Sequence, residues 1–217
     1  MAQAPDEGML RERMLHVMQA MDARGLNRGT SGNVSARCGE AMLVTPSGVA
    51  PALLSAEQMV LVRPDGSVRE GGLRPSSEWR MHQELLNRRP DANAVVHCHS
   101  RYATILACAG LEIPPMHYMV AVGGGASVPV APYATFGSAE LAQHVVEALD
   151  GRAAALMANH GQIVVARHLD AALAIAEEIE EQSAVYWGTL AIGGPKLLPP
   201  EEMEIILGRF RTYGQKS

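Results

Sequence analysis

Apolar residues recur at helical spacing over Leu10, Met14, Val17, Met18 and Met21, which predicts an amphipathic helix that Gly25 stops. The period then drops to two. Residues 30–37 and 40–45 read as short strands joined by a tight turn at Cys38-Gly39, an antiparallel hairpin that Pro46-Ser47-Gly48 ends. Ser55 with Gln58 resembles a capping box, residues 59–62 form a buried strand, and Pro64-Asp65-Gly66-Ser67 is a turn. Pro75-Ser76-Ser77-Glu78 opens a helix running to Arg88, with a serine as N-cap and an acidic first turn that suits the helix dipole. Pro90-Asp91 breaks the chain before the apolar run 94–96, which ends in His97-Cys98-His99. Ser100 caps a helix to Gly110, residues 128–130 make a strand, and Ser138 caps a helix that ends at Asp150-Gly151. Strands at 154–158 and 162–166 flank the turn Asn159-His160-Gly161, Asp170 starts a long helix to Leu190, and Pro200 starts a last one ending near Arg211. Helices thus alternate with strands while at least one hairpin is antiparallel. The expected fold is α/β, one three-layer α/β/α domain over residues 1–217 with a mixed, largely antiparallel central sheet.

Composition narrows the function classes. The 217 residues carry 23 acidic and 18 basic side chains, a net charge of -5 without a basic block, which argues against nucleic acid or an anionic membrane as partner. No apolar run is long enough to span a bilayer, and the first residues are polar, so a cytoplasmic protein is expected. Three cysteines without a Cys-x-x-Cys pair indicate neither a disulfide framework nor a thiolate zinc site. The two lysines, Lys196 beside Gly193-Gly194-Pro195 and Lys216 near the terminus, are poorly suited to a Schiff base. Carbonyl chemistry here would need a metal as electron sink.

The candidate chemistry centres on His97 and His99. In a strand, residues i and i+2 share a face, so the two imidazoles stand side by side while Cys98 points the other way. That is half of a metal site, and it needs one or two further His or carboxylate ligands. His160 lies in a turn between two apolar strands. Glu78 lies at a helix start with His82 as its i+4 neighbour, and either of these two is a further candidate ligand. Gly32 and Asn33, Ser47 and Gly48, and Ser76 and Ser77 each sit at a turn or helix start, where backbone N–H groups can cradle a phosphate. Because Glu78 directly follows the two serines, phosphate and metal would be held close together.

These strings, together with Gly32-Asn33-Val34-Ser35, Thr45-Pro46-Ser47-Gly48, Ile113-Pro114-Pro115-Met116-His117-Tyr118 and the tail Phe210-Arg211-Thr212-Tyr213-Gly214, resemble the class II aldolase/adducin-head family over essentially the whole chain. Members acting on fuculose 1-phosphate match best. The resemblance implies a Zn²⁺, with Mn²⁺ or Co²⁺ as alternatives, held by His97, His99, His160 and Glu78. It implies phosphate contacts from Gly32, Asn33, Ser47, Gly48, Ser76 and Ser77, and it places Tyr118, Phe136, Phe210 and Tyr213 around the aldehyde end of a phosphosugar. It also implies a homotetramer with active sites between neighbouring subunits. Ser47 stands where the family leads us to expect threonine, and Cys98 where we expect asparagine.

The expected reaction is reversible cleavage of a ketose 1-phosphate into dihydroxyacetone phosphate and an aldehyde, with Glu78, Tyr118 and Tyr213 as catalytic groups. Fuculose 1-phosphate and 5-deoxy- or 5-methylthio-pentulose 1-phosphates are the candidate substrates. Rival readings share the metal site: a 4-epimerase of pentulose 5-phosphates or a dehydratase of methylthioribulose 1-phosphate. A non-catalytic interaction module of the adducin type would carry degenerate ligands, whereas here all four are intact.

Overall fold

The computed structural model describes residues 6–68 and 72–210. Seven strands form one sheet: β1 (Asn33–Cys38), β2 (Ala41–Val44), β3 (Val60–Val62), β4 (Ala94–Cys98), β5 (Val130–Ala131), β6 (Ala154–Met157) and β7 (Gly161–Ala166). Their spatial order is β3-β2-β1-β4-β7-β6-β5. Every pair is antiparallel except β5 with β6, so the sheet is mixed and largely antiparallel, as the sequence leads one to expect.

Six helices cover the two faces: α1 (Glu7–Ala23), α2 (Trp79–Arg88), α3 (Arg101–Ala109), α4 (Ala139–Ala148), α5 (Leu169–Leu190) and α6 (Pro200–Phe210). The strand period of two sorts the core into halves. Val34 and Ala36 of β1 and Ala94, Val96 and Cys98 of β4 pack against Met14, Val17, Met18 and Met21 of α1 and against α3 and α5. Val95 of β4 and Ile163 and Val165 of β7 pack on the other side, against Met81, Leu85 and Leu86 of α2 and Leu141 and Val145 of α4. The methionine stripe of α1 is therefore core. Burying one such side chain fully contributes about 1.5–3 kcal/mol.

The same alternation assigns the polar residues. Odd-numbered positions of β1 and β4 face α2, so Asn33, Ser35, His97 and His99 project toward the helix that carries Glu78 and His82 at its start. Asn33 lies directly across the β1/β4 pair from His97.

Three local readings differ from expectation. β1 begins at Asn33, because Gly32 at φ 75° breaks the extended run and turns residues 30–32 into a loop. α2 begins at Trp79, with Glu78 as N-cap residue; the Ser76 hydroxyl accepts the Glu78 N–H at 3.3 Å from outside the helix. Ser100 does occupy the N-cap of α3, but its hydroxyl accepts from the Gln162 carboxamide at 2.8 Å. The free N–H groups of Tyr102 and Ala103 are met instead by the Glu180 carboxylate of α5, each at 2.9 Å. This long-range cap uses the charge that a helix N-terminus favours. Among the described residues no helix is long and apolar enough to cross a membrane.

Candidate metal centre and its cleft

Three chain segments meet where β4 ends. His97 is the last residue but one of β4 and is fully buried; its Nδ1–H donates to the Gln162 carbonyl at 2.8 Å. That bond turns Nε2 toward the cluster. His99 follows one pleat later, and its Nε2 lies 3.1 Å from that of His97. His160 comes from the β6/β7 turn. A Cβ on Gly161 would stand 2.4 Å from the Cys98 carbonyl oxygen, so only glycine lets this hairpin close onto the His-x-His strand. The ligating atoms of His97, His99 and His160 all lie within 4.8 Å of one another.

Glu78 completes the group. Its Oε2 stands 3.2 Å from His97 Nε2 and its Oε1 3.3 Å from His160 Nε2. The carboxylate is 6% exposed, and Oε1 accepts no hydrogen bond. A buried carboxylate oxygen without a donor, beside three imidazole nitrogens, is the donor set of a divalent cation. The residues therefore fit a metal ion.

The electrostatics agree. Burial alone would raise the Glu78 carboxyl, but the His97 charge and hydrogen bond, His160 and the Asn33 amide outweigh it and hold the group well below the usual carboxylate range. Burial pulls His97 down, and the Glu78 charge reverses this, so its net shift is upward. His99 and His160 are lowered to about 4, by burial first and then by neighbouring histidines, so both are neutral with free lone pairs at pH 7.

His82 is not at the cluster. It is fully buried, with Nδ1 2.8 Å from the Ser35 hydroxyl and Nε2 hydrogen-bonded to Asn33 Oδ1. The proton directions follow from Glu78, which as a carboxylate can only accept. Asn33 Nδ2 donates to Glu78 Oε2 at 2.9 Å, so Asn33 presents its carbonyl to His82, which donates from Nε2 and accepts from Ser35 at Nδ1. Burial lowers His82 to about 3, ahead of the smaller effect of His97, and keeps it neutral.

One cleft opens over this centre, lined by Gly32, Asn33, Ser47, Gly48, Ser76 and Ser77 together with Glu78, His99 and His160. Two backbone links bring the loops together: Ser47 N–H donates to the Arg74 carbonyl at 3.0 Å, and Ser76 N–H to the Thr45 carbonyl at 2.9 Å. Phe136 also lines the cleft and is 66% exposed. Tyr118 stands apart from this cleft, half exposed, with its ring 4.7 Å from that of His117. Phe210 packs beside Met203 and Ile206 of α6 and Ala121. Tyr213 lies outside the described residues.

Thr30, Ser31, Tyr133, Ala134 and Asn159 line the cleft as well, although the sequence reading assigns none of them a site role and names Asn159 only within the turn that carries His160. The signals were present but local. Tyr133 is an exposed aromatic in a loop whose Gly137 (φ 74°) abuts the Ser77 carbonyl, where a Cβ would approach to 2.6 Å. Thr30 and Ser31 precede the break at Gly32.

The model of the Class II Aldolase and Adducin N-terminal domain family matches residues 12–187. A 5-methylthioribulose-1-phosphate/5-deoxyribulose-1-phosphate aldolase of Rhodospirillum rubrum is 45% identical over 208 residues, 96% of this chain and 94% of its own. The L-fuculose phosphate aldolase of Escherichia coli K12 is 43% identical over 210 residues, 96% of this chain and 97% of its own. A solved structure of an L-fuculose 1-phosphate aldolase superposes with a TM-score of 0.91 at 36% identity, covering 97% of this chain and all of that one. Family model, relatives and superposition span the sheet, the cleft and all three segments that meet at His97, and the chain belongs to the class II aldolase and adducin N-terminal domain family.

Proposed function

We propose that this protein is a metal-dependent lyase, a class II aldolase that cleaves a ketose 1-phosphate into dihydroxyacetone phosphate and an aldehyde. The observation that carries the reading is the shared cleft. It joins a cradle of turn and helix-start residues, suited to a phosphate, to a histidine-carboxylate cluster suited to a divalent cation. Neither half alone calls for the other. The relatives' sugar-phosphate names support the same chemistry.

His97, His99, His160 and Glu78 would hold the ion, which we assign as Zn²⁺ from the imidazole-rich donor set, Mn²⁺ or Co²⁺ being compatible with it. Such an ion polarises a carbonyl and stabilises the negative charge that C–C cleavage leaves behind. The chain's own residues do the rest. Gly32, Asn33, Ser47, Gly48, Ser76 and Ser77 bind the phosphate through N–H and hydroxyl donors, which fixes the reacting carbons beside Glu78. As the C3–C4 bond breaks, the C4 hydroxyl gives up its proton to become the aldehyde carbonyl, and C3 gains one. Glu78 shuttles the proton at C3: as a carboxylate it takes that proton from dihydroxyacetone phosphate in the direction of synthesis, and the carboxyl so formed returns it to C3 in cleavage, its basicity set by the Asn33 hydrogen bond.

Tyr118 takes up the C4 oxygen's proton, and Tyr213 helps close the site. Because Tyr118 stands outside the cleft of its own chain, we infer that it serves a neighbouring copy, in a homotetramer whose sites lie between subunits. Phe136 and Phe210 would flank the aldehyde end. An acidic chain with no transmembrane helix among its described residues suits a cytoplasmic enzyme.

The test is a coupled assay for dihydroxyacetone phosphate. Fuculose, ribulose, 5-deoxyribulose and 5-methylthioribulose 1-phosphates are offered to metal-loaded and chelator-treated protein. Metal-dependent release supports the aldolase, and the order of rates names its substrate. No release from any of the four with metal bound sinks the reading and favours the epimerase or dehydratase.

A further inference from the structure

Among the described residues a single non-glycine side chain sits on a left-handed backbone: Asn159, at φ 56°. Its place is the β6/β7 turn, immediately before His160. The Asn159 N–H donates to the Ala107 carbonyl near the end of α3 at 3.1 Å, which pins the turn to a helix. Its side chain is exposed, lines the cleft beside Glu78, His99 and His160, and makes no hydrogen bond to any described residue. A carboxamide held rigidly by its backbone, with donor and acceptor both free, is a ready-made ligand contact. Strained conformations of this kind concentrate where a site needs a side chain fixed in place.

Sheet order says which part of a substrate it meets. Of the phosphate cradle, Gly32-Asn33 opens β1, Ser47-Gly48 follows β2 and Ser76-Ser77 precedes α2; the histidines come from the end of β4 and the β6/β7 turn, and the Tyr133–Phe136 loop from β5. Along β2-β1-β4-β7-β6, Asn159 lies beyond His97 and His99 from the cradle strands. On the aldolase reading, the phosphate half of the ketose occupies the cradle side. We propose that the Asn159 carboxamide hydrogen-bonds an oxygen on the aldehyde half of the substrate and so helps to choose and orient that half. The inference rests on the proposed reaction and adds a contact to it.

The test runs the reaction in the direction of synthesis, with dihydroxyacetone phosphate and either lactaldehyde or acetaldehyde on metal-loaded enzyme. Asn159→Gly is the informative variant, because glycine accepts φ 56° without strain while deleting the carboxamide. The expected result is a KM for aldehyde raised roughly tenfold, the size of one lost hydrogen bond. The KM for dihydroxyacetone phosphate, the bound metal and the melting temperature stay at wild-type values. A defect with both aldehydes identifies the C4 oxygen as partner, and one confined to lactaldehyde identifies the adjacent hydroxyl.

Wild-type constants in Asn159→Gly would reduce the residue to a turn former and overturn the proposal. So would a rise in both KM values or loss of metal, which would mean that Asn159 acts through His160. If glycine lowers the melting temperature, Asn159→Asp tests the contact to the C4 oxygen, since it tolerates the left-handed backbone but lacks the N–H donor that an aldehyde oxygen needs. If wild-type enzyme condenses neither aldehyde, the aldolase reading itself falls and takes this assignment with it.

Discussion

Asn33 and Glu78, 45 positions apart in sequence, are joined by a 2.9 Å hydrogen bond from the Asn33 amide to the carboxylate Oε2. Behind it, Ser35 and His82, both fully buried and outside the cleft lining, fix which way the Asn33 amide faces and so orient the carboxylate at the heart of the cleft. Asn33 therefore belongs to two arrangements at once. It lines the cradle, and it aims Glu78.

Replacing Glu78 with Gln keeps the shape and removes the base. Turnover should fall by at least about 100-fold, the usual contribution of a positioned acid/base group. Metal should remain, because three imidazoles within 4.8 Å of one another persist. Metal content by elemental analysis, read beside the rate of dihydroxyacetone phosphate release, checks both halves. Full activity would remove Glu78 from the mechanism.

His82 should make the protein acid-sensitive. Its folded pKa is about 3 against 6.5 for the free side chain, so below pH 6.5 the unfolded chain takes up a proton that the folded chain refuses. Stability falls as pH drops from about 6.5 toward 3, by at most about 1.4 kcal/mol per pH unit from this group, and above 6.5 it contributes no slope. His82→Gln should cost about 1–3 kcal/mol at pH 8 through lost buried hydrogen bonds. The gap to wild type should narrow on acidification. Urea midpoints on chelator-treated protein at pH 8, 6.5 and 5 measure it, and a constant gap contradicts the assignment.

Two glycine replacements should differ in kind. Gly151→Ala meets no atom within 4 Å and suffers only its φ of 66°, a cost of about 1–2 kcal/mol. Gly161→Ala drives a Cβ to 2.4 Å from the Cys98 carbonyl oxygen and 3.0 Å from the His99 ring. It should lower metal affinity by about tenfold or more, as misorienting a ligand does. Metal titration and thermal melts of both variants separate the effects, and equal metal affinities would show that the hairpin tolerates the displacement.

Cys98 sits between two histidines yet faces the α1/α3/α5 core, fully buried, and burial pushes its thiol up to about 12. It should resist a thiol reagent at pH 8 until the chain is unfolded, whereas the part-exposed Cys38 should be labelled in the native state. Rapid native labelling of Cys98, located by peptide mapping, would contradict this placement.

The helices and most strands were legible because the period of apolar residues reports burial directly. His97 and His99 were legible for the same reason, since two residues apart in a strand means one face. The relay was not. Nothing in the sequence pairs Ser35 with His82 or Asn33 with Glu78, because those contacts depend on which helix crosses which strands. Glu180 illustrates the same limit: on α5 it reads as one more exposed acid, and only the packed structure sets it against the N-terminus of α3. The N-cap of α2 was misplaced because Ser76 and Ser77 satisfy every local rule for a helix start. The strand-like bridge of Pro75 with Pro46 and the Ser76 N–H bond to the Thr45 carbonyl, tertiary contacts, delay the helix to Trp79.

The order of strands across the sheet has a consequence for how such a protein can diversify. The cleft residues Gly32 and Ser47 border β1 and β2 at one flank, while the loop bearing Tyr133 and Phe136 hangs from β5 at the opposite margin, with the histidines between them. On the proposed reading, changes at Tyr133 and Phe136 can reshape the wall that meets the variable end of a sugar, but Gly137, whose Cβ position lies 2.6 Å from the Ser77 carbonyl oxygen, ties that loop to the phosphate side and limits how far it can move.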